Sequence, residues 1–170
     1  MRSDHIPLTS TEERTRPSWA APVSIVLGSL LVGLVPFIAT FPFLPPLGLL
    51  MLLGWRLTRA DVLKVWAPVP LGLVDDMVSG QPLGSAMLLW TLCFIIIDVL
   101  DTRLVWRDFW QDWLIASGAI GFCLIAGRLV AVPFSAHVDT ALMLQIVVSV
   151  TLFPVASRFC GWLDRDTKPR

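Results

Sequence analysis

Charged side chains are scarce in this chain of 170 residues. They make up 15% of the residues, hydrophobic side chains make up 55%, and the mean hydropathy is +0.73. A soluble domain usually carries about 25% charged residues. The stretch between Arg16 and Arg56 contains no Asp, Glu, Lys or Arg, and it has room for two membrane spans of roughly 20 residues each. The composition excludes an ordinary soluble domain and predicts a protein that crosses a membrane several times.

The residues that build most metal centres and disulfide frameworks are also few. His5 and His137 are the only histidines, so no histidine pair on one helix offers a metal site. Cys93, Cys123 and Cys160 are far apart and form no CxxC pair, which predicts small hydrophobic side chains rather than a disulfide framework. Basic and acidic residues balance at 13 each, so nothing indicates a nucleic-acid partner.

Catalytic patterns are missing as well. The chain has no Gly-x-Ser-x-Gly elbow and no Walker-type loop. An intramembrane aspartyl protease needs two opposed acids, but Asp98 and Asp101 are predicted at the far end of the bundle from Asp75 and Asp76. The stretch from Asp98 to Arg103 keeps only the first acid spacing of the phosphatidyl-alcohol transferases. We therefore expect no enzyme activity, no cofactor and no metal.

The apolar stretches predict an all-α integral membrane protein with six transmembrane helices. They cover approximately residues 19–39, 44–57, 65–79, 83–97, 113–132 and 140–157. The second and third are short for a hydrocarbon core of about 30 Å. The predicted organisation is a cytoplasmic polar tail over residues 1–17, a six-helix transmembrane domain over 18–160, and a cytoplasmic C-terminal tail over 161–170.

The basic residues predict the orientation of these helices. With the N-terminus in the cytoplasm, all 13 Lys and Arg residues except Arg128 fall in cytoplasmic segments, as the positive-inside rule requires. Seven of the eight tryptophans, all but Trp90, then fall near cytoplasmic helix ends, where indole rings prefer to lie. We expect a multi-pass membrane protein with both termini in the cytoplasm.

Two neighbouring acids, Asp75 and Asp76, lie deep in the third predicted helix. They follow ten uncharged residues after Lys64, and an acid at that depth is costly and indicates a function. Arg128 is the only basic residue predicted at the same end of the bundle, so we predict an ion pair between Arg128 and Asp75 or Asp76. The alternative is that the helix ends early and both acids lie in a solvated outer loop.

The segment from Thr102 to Trp113 places aromatic residues at helical spacing between charged ones. Trp106, Phe109 and Trp110 are central to this pattern, which is typical of a short amphipathic helix in the cytoplasmic interface. Such a helix either anchors in lipid or provides a docking surface for a cytoplasmic partner.

One stretch resembles a family signature. The run from Gly72 to Gly84, GLVDDMVSGQPLG, resembles the Gly-Leu-x-x-Asp-hydrophobic-hydrophobic-Ser-Gly-x-Pro-Leu-Gly signature of the rod shape-determining protein MreD family. Asp76 matches the family acid, and Asp75 is an addition. The turn into the fourth helix is matched by Gly80, Pro82, Leu83 and Gly84.

The resemblance implies a non-enzymatic membrane scaffold subunit of the cell-elongation complex in the bacterial inner membrane. MreD-like proteins partner the bitopic protein MreC, in a complex with MreB, RodZ, RodA and its transpeptidase that builds lateral peptidoglycan. The family is also similar in fold to the S-components of energy-coupling-factor transporters, so a vitamin-transporter subunit is the alternative function. Within the scaffold interpretation, the signature either contacts MreC or stabilises the turn between the third and fourth helices.

Overall fold

The computed structural model describes residues 19–34, 44–103, 108–131 and 139–166, and every regular element in these ranges is a helix. The six helices are α1 (Ala20–Leu34), α2 (Leu47–Thr58), α3 (Pro68–Ser79), α4 (Ser85–Arg103), α5 (Phe109–Ala131) and α6 (Asp139–Asp166). α1 packs against α2 and α3, α3 against α4, α4 against α5, and α6 against α2 and α5. These described residues form an all-helical bundle.

Three of these helices, α4, α5 and α6, are long and apolar enough to cross a membrane. α1 and α2 are shorter apolar helices. This pattern fits a membrane protein, because a helix rises 1.5 Å per residue and a bilayer core is about 30 Å thick.

The boundaries differ from the prediction at the end of the bundle where α4 and α6 finish. α4 continues to Arg103 and α5 begins at Phe109, so the residues of these ranges do not form a separate amphipathic helix. Residues 104–107, which include Trp106, lie outside the described residues, as does the predicted tail over residues 1–17. α6 runs to Asp166, so helical structure continues beyond residue 157, where the sixth predicted helix ends.

The centre of the bundle is α2. Nine of its 12 residues are buried, and it packs between α1 and α6. A helix that is apolar on nearly every side is buried either in a protein interior or in lipid, and neighbouring helices bury most of α2. Trp55 is fully buried and donates from Nε1 to Ser24 Oγ of α1 at 2.8 Å. This position contradicts the prediction that Trp55 lies in the membrane interface.

A proline inside α6 is accommodated by a side chain of α5. Pro154 has no N–H, so the carbonyl of Val150, four residues earlier, loses its helical donor. The indole Nε1 of Trp113 donates to this carbonyl at 3.3 Å. The bond links α5 to α6 and satisfies a backbone group that lipid could not satisfy.

Ion pairs hold together the end of the bundle where α2, α4 and α6 finish, which we call the ion-pair end. Arg56 lies in the last turn of α2 and is 4% exposed. Its guanidinium contacts Asp98 at 2.9 Å and Asp101 at 3.1 Å, both on α4. Arg59 contacts Asp164 of α6 at 2.9 Å.

Two of the cysteines are neighbours in space although 30 residues separate them. The sulfur atoms of Cys93 on α4 and Cys123 on α5 lie 3.3 Å apart, and both cysteines are free and buried. They form part of the α4–α5 contact.

Candidate functional site at the α3–α4 elbow

The signature residues form the elbow, residues 72–87, in which α3 turns into α4. α3 ends at Ser79, and Gly80 follows with a φ of 67°, the left-handed conformation that commonly terminates a helix. Gly84, directly before α4, has a φ of 96°. A side chain would strain the backbone at both positions, so these two glycines set the path of the turn.

Asp76 is the structural centre of the elbow. It is 1% exposed and faces the first turn of α4. Its carboxylate accepts hydrogen bonds from Gly84 N, Ala86 N and Ser85 Oγ, each at 2.9 Å, and a longer one of 3.4 Å from Met87 N. The carboxylate therefore caps α4 from a neighbouring helix.

This arrangement explains how an acid remains buried in an apolar bundle. The first N–H groups of a helix have no intrahelical acceptor, and the helix dipole makes this end attractive to negative charge. Asp76 supplies the missing acceptor. The start of α4 supplies the positive charge that the sequence analysis expects from Arg128. No ion pair joins Arg128 to Asp76 or to Asp75. The solvated-loop alternative is wrong for Asp76, since α3 continues past it to Ser79.

Gly72 lets α3 approach α4 closely enough for these bonds to form. It lies one turn before Asp76 on the same face of α3. A Cβ on Gly72 would lie 2.6 Å from both Cα and N of Met87 and 2.9 Å from the carbonyl carbon of Ala86. These atoms belong to the backbone and have little freedom to move, so the contact requires glycine.

Asp75 points away from the cap. It lines a cavity of about 200 Å³ together with Trp90, Gln81, Arg128 and Gln145. Its Oδ1 also lies against the backbone of α2, 3.1 Å from the position that a Cβ on Gly48 would take. The two adjacent acids thus have different surroundings, and the structure brings Asp75 and Arg128 to one cavity without pairing them.

Apolar side chains cover the outside of the elbow. Leu83 in the turn is 75% exposed, Met77 is 71% exposed and Leu73 is 41% exposed. Two of the three residues of the predicted docking loop, Phe109 and Trp110, are exposed on the first turn of α5, far from the elbow along the bundle.

The comparison with family models matches residues 13–161 to the rod shape-determining protein MreD family. This match covers most of the chain. The chain belongs to the MreD family. No curated protein and no solved structure matches it.

The residues that resemble the MreD-family signature have identifiable structural roles in the elbow. Gly72 permits the close contact, Asp76 caps α4, and Gly80 and Gly84 adopt positive φ angles. Pro82 accepts a hydrogen bond on its carbonyl oxygen from Ser85 N at 3.1 Å. Membership of this family implies a role in rod shape determination and association with the rod-shape complex, and the family is not known for catalysis.

The sequence alone does not indicate the partners of Asp76 or the polar residues that line the cavity. The signal for the cap was present, since Asp76 precedes the next helix by a short glycine-bounded turn that allows its carboxylate to reach the helix start. Gln145 gave no such signal, because it comes from α6 and nothing in its neighbourhood along the chain connects it to Asp75. The described residues contain no group of three or more His, Cys, Asp or Glu side chains that could hold a metal ion.

Proposed function

We propose that this chain is a non-enzymatic scaffold subunit of the rod complex that binds MreC and thereby supports lateral peptidoglycan synthesis. The proposal includes six spans in the inner membrane, both termini in the cytoplasm and a fold like that of the S-components. The observation that carries it is the division of the elbow into an inward polar part and an outward apolar part. The hydrogen bonds of Asp76 are made within the chain, while Leu83 is 75% exposed.

The outward part of the elbow suits a protein contact. Leu83 lies in the turn between two helices, next to the exposed Gln81 and Pro82. A turn at the end of two spanning helices lies near the polar headgroups, where lipid tails cover an apolar side chain poorly. A partner protein would bury Leu83, and full burial of a leucine stabilises a contact by about 1.5–3 kcal/mol.

MreC is the partner that we assign to this surface. MreB, RodZ, RodA and its transpeptidase then join through the same complex. We further propose that Phe109 and Trp110, with Trp106, provide a second contact on the cytoplasmic side. The exposed rings of Phe109 and Trp110 at the start of α5 support that role.

A pull-down from native membranes tests the proposal. The tagged chain is solubilised in mild detergent, and co-purifying proteins are identified and quantified by mass spectrometry. We expect MreC to be recovered with the unmodified chain, and its recovery to fall at least fivefold with Leu83→Ala. The matched control is Leu88→Ala, because Leu88 is 64% exposed on α4 itself.

Two outcomes would contradict the scaffold function as proposed. Failure to recover MreC with a chain that is abundant in membranes would exclude the partner. Recovery of MreC with Leu83→Ala that is as high as with Leu88→Ala and with the unmodified chain would exclude the elbow as the contact. The amount of chain in the membrane is measured in parallel, so that a folding defect is not mistaken for a binding defect.

The cavity beside Asp75 favours a second candidate function, that of an S-component-like subunit for a small vitamin. Asp75, Gln81, Arg128 and Gln145 converge there from three helices and one turn, and convergent polar groups are typical of ligand pockets. In the same pull-down, this function predicts recovery of an ATPase pair with its coupling subunit. The volume of about 200 Å³ is below the usual ~300–1,000 Å³ of such pockets, which favours the scaffold.

A further inference from the structure

A groove of about 690 Å³ lies at the ion-pair end, between the start of α5, the second half of α6 and the end of α2. It is separate from the elbow and from the cavity beside Asp75. Its volume falls within the range of about 300–1,000 Å³ found for ligand pockets.

Two arginines give the groove a positive charge. Arg158 and Arg165 line it, and their spacing of seven residues places them two turns apart on one side of α6. The ion pairs between described residues use Arg56 and Arg59, and they include neither groove arginine. Asp112 of α5 also lines the groove and reduces its formal charge to one positive.

Aromatic rings form much of the remaining wall. Phe109 and Trp113 of α5 and Trp162 of α6 line the groove, and Trp162 is 59% exposed. Indole rings prefer the headgroup level of a bilayer. α6 has 28 residues, about 42 Å at 1.5 Å per residue, which exceeds a hydrocarbon core of about 30 Å. Its charged residues Arg158, Asp164 and Arg165 lie towards the C-terminal end, which indicates that this end extends beyond the core. Both features place the groove at the depth of the lipid phosphates.

We propose that this groove binds the phosphodiester of an anionic phospholipid, of which phosphatidylglycerol is a simple representative. Arg158 and Arg165 contact the phosphate oxygens, since a guanidinium forms paired, charge-assisted hydrogen bonds with phosphate. The rings of the groove cover the glycerol and the upper acyl chains, and they include that of Phe153. Basic pockets between spanning helices are known to bind anionic headgroups. The proposal requires only a membrane-embedded chain and does not depend on MreC binding.

Native mass spectrometry of the full chain tests this proposal. The purified chain is incubated in detergent with equal amounts of phosphatidylglycerol and phosphatidylcholine, and the retained ratio of the two lipids is measured. We expect the unmodified chain to prefer phosphatidylglycerol. Arg158→Gln and Arg165→Gln should each lower this preference roughly fivefold, as expected for one basic side chain near a phosphate.

The matched control is Arg103→Gln, which removes an exposed arginine at the end of α4, outside the groove. We expect this variant to keep the full preference. All three arginines are exposed, so the variants should fold, and their melting temperatures are compared with that of the unmodified chain.

Three results would overturn the proposal. The first is equal retention of the two lipids by the unmodified chain. The second is an equal loss of preference in Arg103→Gln and in the groove variants, which would indicate a general charge effect. The third is displacement of phosphatidylglycerol by the same concentration of inorganic phosphate, which would indicate a site for free phosphate. Retention of phosphatidylglycerol in the presence of phosphate supports a lipid site.

Discussion

The two ends of the bundle keep carboxylates among apolar helices in different ways. At the elbow, Asp76 is held by backbone N–H groups of α4 and by one hydroxyl. At the ion-pair end, Asp98 and Asp101 are held by the guanidinium of Arg56. Both arrangements connect α4 to a neighbouring helix, the first to α3 and the second to α2.

The difference follows from where cations are available. The positive-inside distribution that we predict concentrates basic residues at the ion-pair end and leaves Arg128 at the other. A buried acid at the elbow therefore depends on the helix N-terminus, whose partial positive charge is part of the backbone. The backbone cap also fixes the direction of α4 relative to α3, which an ion pair between flexible side chains does less well.

The largest effect is expected from removing the cation at the ion-pair end. Arg56→Met should destabilise the chain by roughly 2–3 kcal/mol, because two acids lose a buried counter-charge and the exposure of the Asp98 side chain lowers the cost below that of a fully buried pair. SDS titration of the chain in mixed micelles, followed by circular dichroism, measures the loss.

The triple variant Arg56→Met, Asp98→Asn, Asp101→Asn should recover much of this stability, since it also removes the two carboxylate charges that Arg56 balances. A triple variant as unstable as Arg56→Met would show that packing of the Arg56 stem, and not charge, holds this end together.

A somewhat smaller effect is expected at the elbow. Asp76→Asn should destabilise the chain by about 2 kcal/mol, because the amide nitrogen would face N–H donors of α4 and leave them unsatisfied. The same titration measures this loss. Asp75→Asn is the control, as Asp75 makes no bond to α4. Equal losses in the two variants would argue against the cap as the source of stability.

The smallest effect concerns packing at the elbow. Gly72→Ala should cost roughly 1–2 kcal/mol, since its Cβ would meet the backbone of Met87. Gly118→Ala on α5 is the matched control, because a Cβ there meets nothing within 4 Å, and alanine favours the helix. A Gly72→Ala chain as stable as the control would mean that α3 and α4 can separate without loss.

Hydropathy predicts six transmembrane helices. The described residues contain six helices, because long apolar stretches bounded by prolines, glycines and charges have few other structures available, and three of them are long and apolar enough to cross a membrane. Their ends were less well predicted. α4 and α6 continue through charged residues such as Arg103 and Arg165, which a hydropathy boundary treats as helix ends. The signature indicated that Asp76 mattered, but it could not show that a backbone would replace the expected arginine.

The sequence by itself determined that the chain is helical and apolar, and its signature was enough to indicate the family that the wider comparison then showed. Those properties follow from composition and from residues close together along the chain. Only the tertiary structure decided the partners of Asp76 and Arg56, the donor for the carbonyl that Pro154 leaves free, and the convergence of Asp75 with Arg128 on one cavity. Each of these depends on how helices far apart in sequence pack, and local patterns do not carry that information.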